Sequence, residues 1–91
     1  MIVKITDYGK SGGRYFVDYE ASGLSVNQLE FLDNVLDEET NVNGDVLNIR
    51  MYFDEKLYPF QSETAKFRLD DFIAREEIEM NVYLSSVIDD M

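Results

Sequence analysis

Polar and apolar residues alternate from the start of the chain. Val3 and Ile5 fall on one side, and Lys4 and Thr6 on the other, the period of a half-buried strand. Gly9-Lys10-Ser11-Gly12-Gly13 follows as a turn cluster. Alternation then resumes, with Tyr15, Val17 and Tyr19 set against Arg14, Phe16, Asp18 and Glu20. Two such runs around a glycine-rich loop predict a β-hairpin.

The next segment changes period. Ser25 with Gln28 three residues on makes a Ser-x-x-Gln capping box, and Leu24 with Leu29 makes the matching hydrophobic staple. Val26, Leu29, Leu32, Val35 and Leu36 recur at helical spacing, which predicts a helix from Val26 to Glu38 or Glu39. Asn43-Gly44 marks a tight turn. Alternation returns over Val46–Phe53, where Leu47, Ile49, Met51 and Phe53 share a face.

Beyond it, Asp54–Phe60 reads as a loop. Residues 63–69 read as a strand from the alternation of Ala65, Phe67 and Leu69. The alternative is a helix capped by Ser62 and lined by Ala65, Leu69, Phe72 and Ile73. Asp70–Arg75 fits a single helical turn. Ile78, Met80, Val82 and Leu84 alternate with Glu77, Glu79, Asn81 and Tyr83 as a last strand. The expected architecture is therefore one α+β domain over 1–91, in the order β-β-α-β-β-β. It would hold an antiparallel sheet of about five strands with one main helix on one face.

Composition narrows the chemistry. The 91 residues contain no Cys and no His, which removes disulfides, thiolate or imidazole metal ligands, Cys nucleophiles and imidazole bases. Gly9–Gly13 lacks the P-loop spacing and leads into a strand, so it offers no helix N-terminus to a phosphate. Glu39-x-Asn41-x-Asn43-Gly44-Asp45 imitates the front of an EF-hand. It has Glu at the first ligand position, and Arg50 stands where the bidentate Glu belongs. No catalytic residue, metal ligand or cofactor is assigned, and the chain reads as a non-enzyme. The N-terminal apolar run is broken by Lys4 and Asp7, and no stretch reaches the ~20 apolar residues of a membrane span, so the cytoplasm is the expected compartment.

Charge is the one feature that points to a partner. Eight Lys and Arg face 19 Asp and Glu, a net charge of -11. The imbalance is uneven: residues 1–14 carry Lys4, Lys10 and Arg14 against Asp7, and no base occurs between Glu20 and Arg50. Such a chain repels nucleic acid and fits a basic protein surface instead. Glu30, Asp33 and Asp37, at i, i+3 and i+7, are expected on one helix face, with Glu38 and Glu39 extending the row. Asp70, Asp71, Glu76, Glu77 and Glu79 form a second acidic cluster, with only Arg75 among them. Tyr58 and Phe60, in Leu57-Tyr58-Pro59-Phe60, are candidate aromatic anchors.

In length, charge and lack of catalytic residues, the chain resembles the small acidic inhibitors carried by phages, such as anti-restriction and anti-CRISPR proteins. The resemblance implies a nucleic-acid mimic that occupies the basic groove of a nuclease or another nucleic-acid-binding protein, in the cytoplasm of a phage's host. The basic first hairpin departs from that pattern. The competing reading is a structural or adaptor subunit assembling with itself or with others through sheet edges or the aromatic loop.

Overall fold

The computed structural model describes residues 1–54 and 66–91, with side chains described over 1–53 and 71–91. Its elements are β1 (Ile2–Ser11), β2 (Arg14–Ser22), α1 (Val26–Val35), β3 (Glu39–Asn43), β4 (Val46–Asp54) and α2 (Lys66–Ile88). The strands form one antiparallel sheet in the order β1-β2-β4-β3. The α+β class holds as expected, but among the described residues the sheet has four strands and there are two helices.

The first hairpin is tighter than expected. Gly9, Lys10 and Ser11 pair with Phe16, Tyr15 and Arg14, leaving Gly12-Gly13 as a two-residue turn. Their φ values of 60° and 81° are those of a type I′ turn, whose twist matches the strands. Gly9 sits in the ladder because the Phe16 ring lies across it: a Cβ there would come within 3.0 Å of that ring. In the second hairpin Asn43 pairs with Val46, and Gly44 takes a φ of 65° at the first central position, the type II′ arrangement. The EF-hand-like run Glu39–Asp45 is thus strand β3 and its turn.

One face of the sheet carries the core. Val3, Val17, Tyr19, Ala21, Leu47 and Ile49 are buried there against Leu29 and Leu32 of α1 and Met80 and Leu84 of α2. Strand alternation puts Phe16, Asp18, Glu20, Asn48, Arg50 and Tyr52 on the opposite face, which neither helix covers among the described residues. Helix α1 starts where the capping box predicts: the Gln28 amide donates to Ser25 Oγ and the Ser25 amide to Gln28 Oε1. It stops at Val35, short of the expected Glu38 or Glu39, with Leu36 already extended at φ -73° and ψ 137°. Two effects favour the early stop. Acids in a last turn oppose the helix dipole, and Glu39 is needed opposite Arg50 in the sheet. Val26, expected in the buried stripe, is 69% exposed.

The larger correction is α2. The strand expected over 63–69 is helical from Lys66, and the turn at 70–75 and the strand at 78–84 belong to the same 23-residue helix. The sequence from Gln61 onward contains no Gly or Pro, so nothing breaks it. Among the described residues, no helix is long and apolar enough to cross a membrane.

Candidate functional site

The first group of predicted carboxylates follows the shortened helix. Glu30 and Asp33 lie on α1, Asp37 and Glu38 in the connection, and Glu39 opens β3, so the row expected on a single helix face is split among three settings. Glu30 and Asp37 are exposed. Asp33 Oδ1 accepts from the Thr40 hydroxyl at 2.7 Å and fastens α1 to β3. Glu38 is half-buried, one of its oxygens without a hydrogen-bond partner. Together with burial, its carboxylate pushes the Tyr83 hydroxyl above its ordinary pKa. Glu39 Oε1 accepts from the Tyr52 hydroxyl at 3.1 Å, across the β3–β4 pair.

The second group is arranged by α2. Asp71 is exposed, whereas Glu76 and Glu77 turn toward the sheet. Tyr19, with no exposed surface, donates its hydroxyl to Glu76 Oε2 at 3.1 Å. Burial raises the pKa of Glu76, and Glu79 adds to the rise; the Tyr19 hydrogen bond and Arg75 pull the other way. Tyr19 is itself held well above the usual phenol range, first by burial and then by the Glu76 charge. Glu77 Oε2 accepts from the Ile5 amide at 2.7 Å, an outward N–H of the edge strand β1. Exposed edge amides invite pairing with other chains, and here a carboxylate occupies one of them. Asp70 lies on α2, with its side chain outside the described residues; Tyr58 and Phe60 lie outside them altogether.

The sequence also hid a polar cluster on the uncovered face. Arg50 donates from Nε and Nη2 to the two Asp18 oxygens at 2.7 and 2.9 Å, a bidentate pair that holds the guanidinium above its ordinary pKa. Arg50 also stacks on Phe16 at 4.1 Å, and Arg14 stacks on Tyr52 at 4.1 Å. Alternation placed these residues on one face, but only the register that pairs Asp18 with Arg50 brings them together.

Chemically, the arrangement is a charged surface on a rigid sheet. Among the described residues, no group of three or more Asp or Glu is placed to hold a metal ion. Among the described residues, the exposed acids include Glu30 and Asp37 at one end and Asp71, Asp89 and Asp90 along α2 and just beyond it. Residues 21–49, which include α1 and β3, carry Glu30, Asp33, Asp37, Glu38, Glu39 and Asp45 and no base. Compared with known proteins, the chain matches over residues 2–90 the model of a family of unknown function, DUF5750. No curated protein matches it.

Proposed function

We propose that this chain, which belongs to the DUF5750 family, is a non-enzymatic binding protein that presents carboxylates to a basic protein surface. It competes there with the phosphates that surface otherwise holds. The observation that carries the reading is the base-free segment 21–49, which places five carboxylates in α1, its connection and the edge strand β3 and a sixth, Asp45, in the turn that follows. Carboxylates on a fixed scaffold meet Arg and Lys in the geometry those side chains use for phosphate oxygens. The partner class is a nuclease or another nucleic-acid-binding protein, as for an anti-restriction or anti-CRISPR inhibitor.

The structure changes which acids should be tested. Asp33 and Glu39 hold the fold through Thr40 and Tyr52, so replacing them confounds binding with stability. Glu30 and Asp37 are exposed, and the double variant Glu30→Gln/Asp37→Asn is the clean probe. Titration against a basic partner captured from the host should show roughly tenfold weaker binding of the variant and a smaller loss on going from about 50 to about 300 mM salt. Inhibition should saturate at a fixed stoichiometry. Equal affinities for parent and variant at both salt concentrations, or substoichiometric turnover of the target, would sink the reading.

A further inference from the structure

We propose that the groove between the first residues of β1 and helix α2 is the docking site for an amphipathic helix of the partner, with apolar anchors and a basic rim. The inference rests on the basic-partner reading above and names the structural class of segment that this protein receives.

The groove is a cavity of about 530 Å³, with Met1 and Ile2 on one side and Ala74, Ile78 and Val82 on the other. Ile2, Ile78 and Val82 are 60%, 66% and 64% exposed, high values for large aliphatics in so small a protein. Ala74, Ile78 and Val82 recur every four residues, so they form one stripe along α2. Met80 and Leu84, two positions on, face nearly the opposite way and fill the core. The stripe is therefore a second apolar face, additional to the one that folding uses. Its floor is fixed, because Asn81 Nδ2 donates to the Met1 carbonyl at 3.3 Å and Glu77 takes the Ile5 amide. A preformed apolar slot beside a helix is the setting for a helix-in-groove contact.

Charge selects the occupant. At 100° per residue, exposed Asp71 and Asp89 lie on nearly the same line as Ile78 and Val82, one toward each end of the stripe, and exposed Arg75, one turn after Asp71, lies about 20° from Val82. Helix α2 has no basic residue in its last turn, and Asp89 and Asp90 add negative charge where the helix dipole is already negative. The C-terminal end of the slot thus favours cations, while at the other end Arg75 offsets Asp71. A second copy is a poor fit, since each copy brings a net charge of -11 and the same two aspartates.

The test uses the full chain and two labelled synthetic peptides of identical Leu and Lys composition. One has its leucines at helical spacing; the other is rearranged so that no helical stripe forms. Fluorescence anisotropy should show the striped peptide binding at least tenfold tighter. Ile78→Ser/Val82→Ser should abolish that preference while leaving the urea midpoint close to the parent's, because both side chains are largely solvated. Glu30→Gln/Asp37→Asn should leave the preference intact. Equal binding of the two peptides, or a preference untouched by Ile78→Ser/Val82→Ser, would overturn the groove assignment. If salt-dependent binding to the captured partner were still lost in Glu30→Gln/Asp37→Asn, the basic-partner reading would stand without it. Sedimentation of the protein alone supplies the last arm: a dimer that Ile78→Ser/Val82→Ser dissociates would assign the groove to a second copy and overturn the proposal.

Discussion

Tyr19→Phe tests how the sheet is fastened to α2, and its cost should depend on pH. The Tyr19 ring is wholly buried at the centre of the core, and Phe fills the same space, so the substitution removes one hydroxyl and one hydrogen bond. A hydrogen bond to a charged group contributes ~1.5–3 kcal/mol. At 3.1 Å this one is longer than a short charge-assisted pair, and Glu76 keeps some access to solvent, so the lower end of that range applies, about 1.5 kcal/mol. The sign of the pH dependence follows from the carboxylate. Burial raises Glu76 above its ordinary value of 4.5, so the folded protein keeps this proton to higher pH than the unfolded chain does. Stability contributed by Glu76 therefore falls as pH rises through that window. The Tyr19 hydroxyl opposes the shift by bonding the charged form. Removing it should cost least near pH 5 and most near pH 8, by a difference of about 1 kcal/mol. Urea melts of parent and Tyr19→Phe at the two pH values give that difference, and the general repulsion of a chain with net charge -11 cancels in the subtraction. In a Glu76→Gln background the pH dependence of Tyr19→Phe should vanish. The reasoning fails if Tyr19→Phe costs the same at both pH values, or if Glu76→Gln leaves its pH dependence intact.

Two further substitutions examine local structure. Ser25→Ala removes the side-chain half of the capping box and should lower stability by ~0.5–2 kcal/mol, read as a drop in urea midpoint; an unchanged midpoint would place the start of α1 elsewhere. Gly44→Ala meets nothing within 4 Å, so its cost is the left-handed backbone alone, about 1 kcal/mol, and a denaturation series showing no loss would mean that the β3–β4 turn does not need a positive φ.

The elements that were legible from the sequence are those whose signals are local. The hairpin around Gly9–Gly13 (though not its two-residue turn), the Ser25–Gln28 cap and the alternation from Leu47 to Phe53 each show within a few residues. The C-terminal helix was missed because Ile78, Met80, Val82 and Leu84 satisfy two periods at once. Residues two apart share a face in a strand and lie 200° apart in a helix, so an uninterrupted even-numbered apolar run is either one strand face or two opposed helix stripes. Met80 and Leu84 are buried and Ile78 and Val82 exposed, which is the second case. The absence of any Gly or Pro beyond Pro59, with Ala, Glu, Met and Arg in the interior, was the signal that separated the two. The candidate acids were legible as a composition but not as positions. Whether a carboxylate faces solvent or a buried hydroxyl depends on long-range pairs such as Tyr19 with Glu76 and Ile5 with Glu77, far apart in sequence.

This division of the acids bears on how the surface works. A count of net charge suggests a uniform negative coat, yet Asp18, Asp33, Glu39, Glu76 and Glu77 each accept an internal hydrogen bond. Such groups are held in place and partly satisfied, so a partner's Arg would gain less from them than from Glu30, Asp37 or Asp71, which are exposed. The free acids lie toward the α1–β3 end and along α2, while Lys4, Lys10 and Arg14 lie on the first hairpin. On the proposed function, a basic partner would be steered toward the helical side and away from the hairpin tip, with an orientation as well as an affinity. Orientation is what lets long-range charge and a short apolar stripe act in sequence. In the proposed complex the field would bring the partner to the side where Ile78 and Val82 are exposed, and desolvation of those two side chains would then slow its departure. Salt should accordingly change the association rate, and Ile78→Ser/Val82→Ser the dissociation rate, in stopped-flow measurements on the same complex.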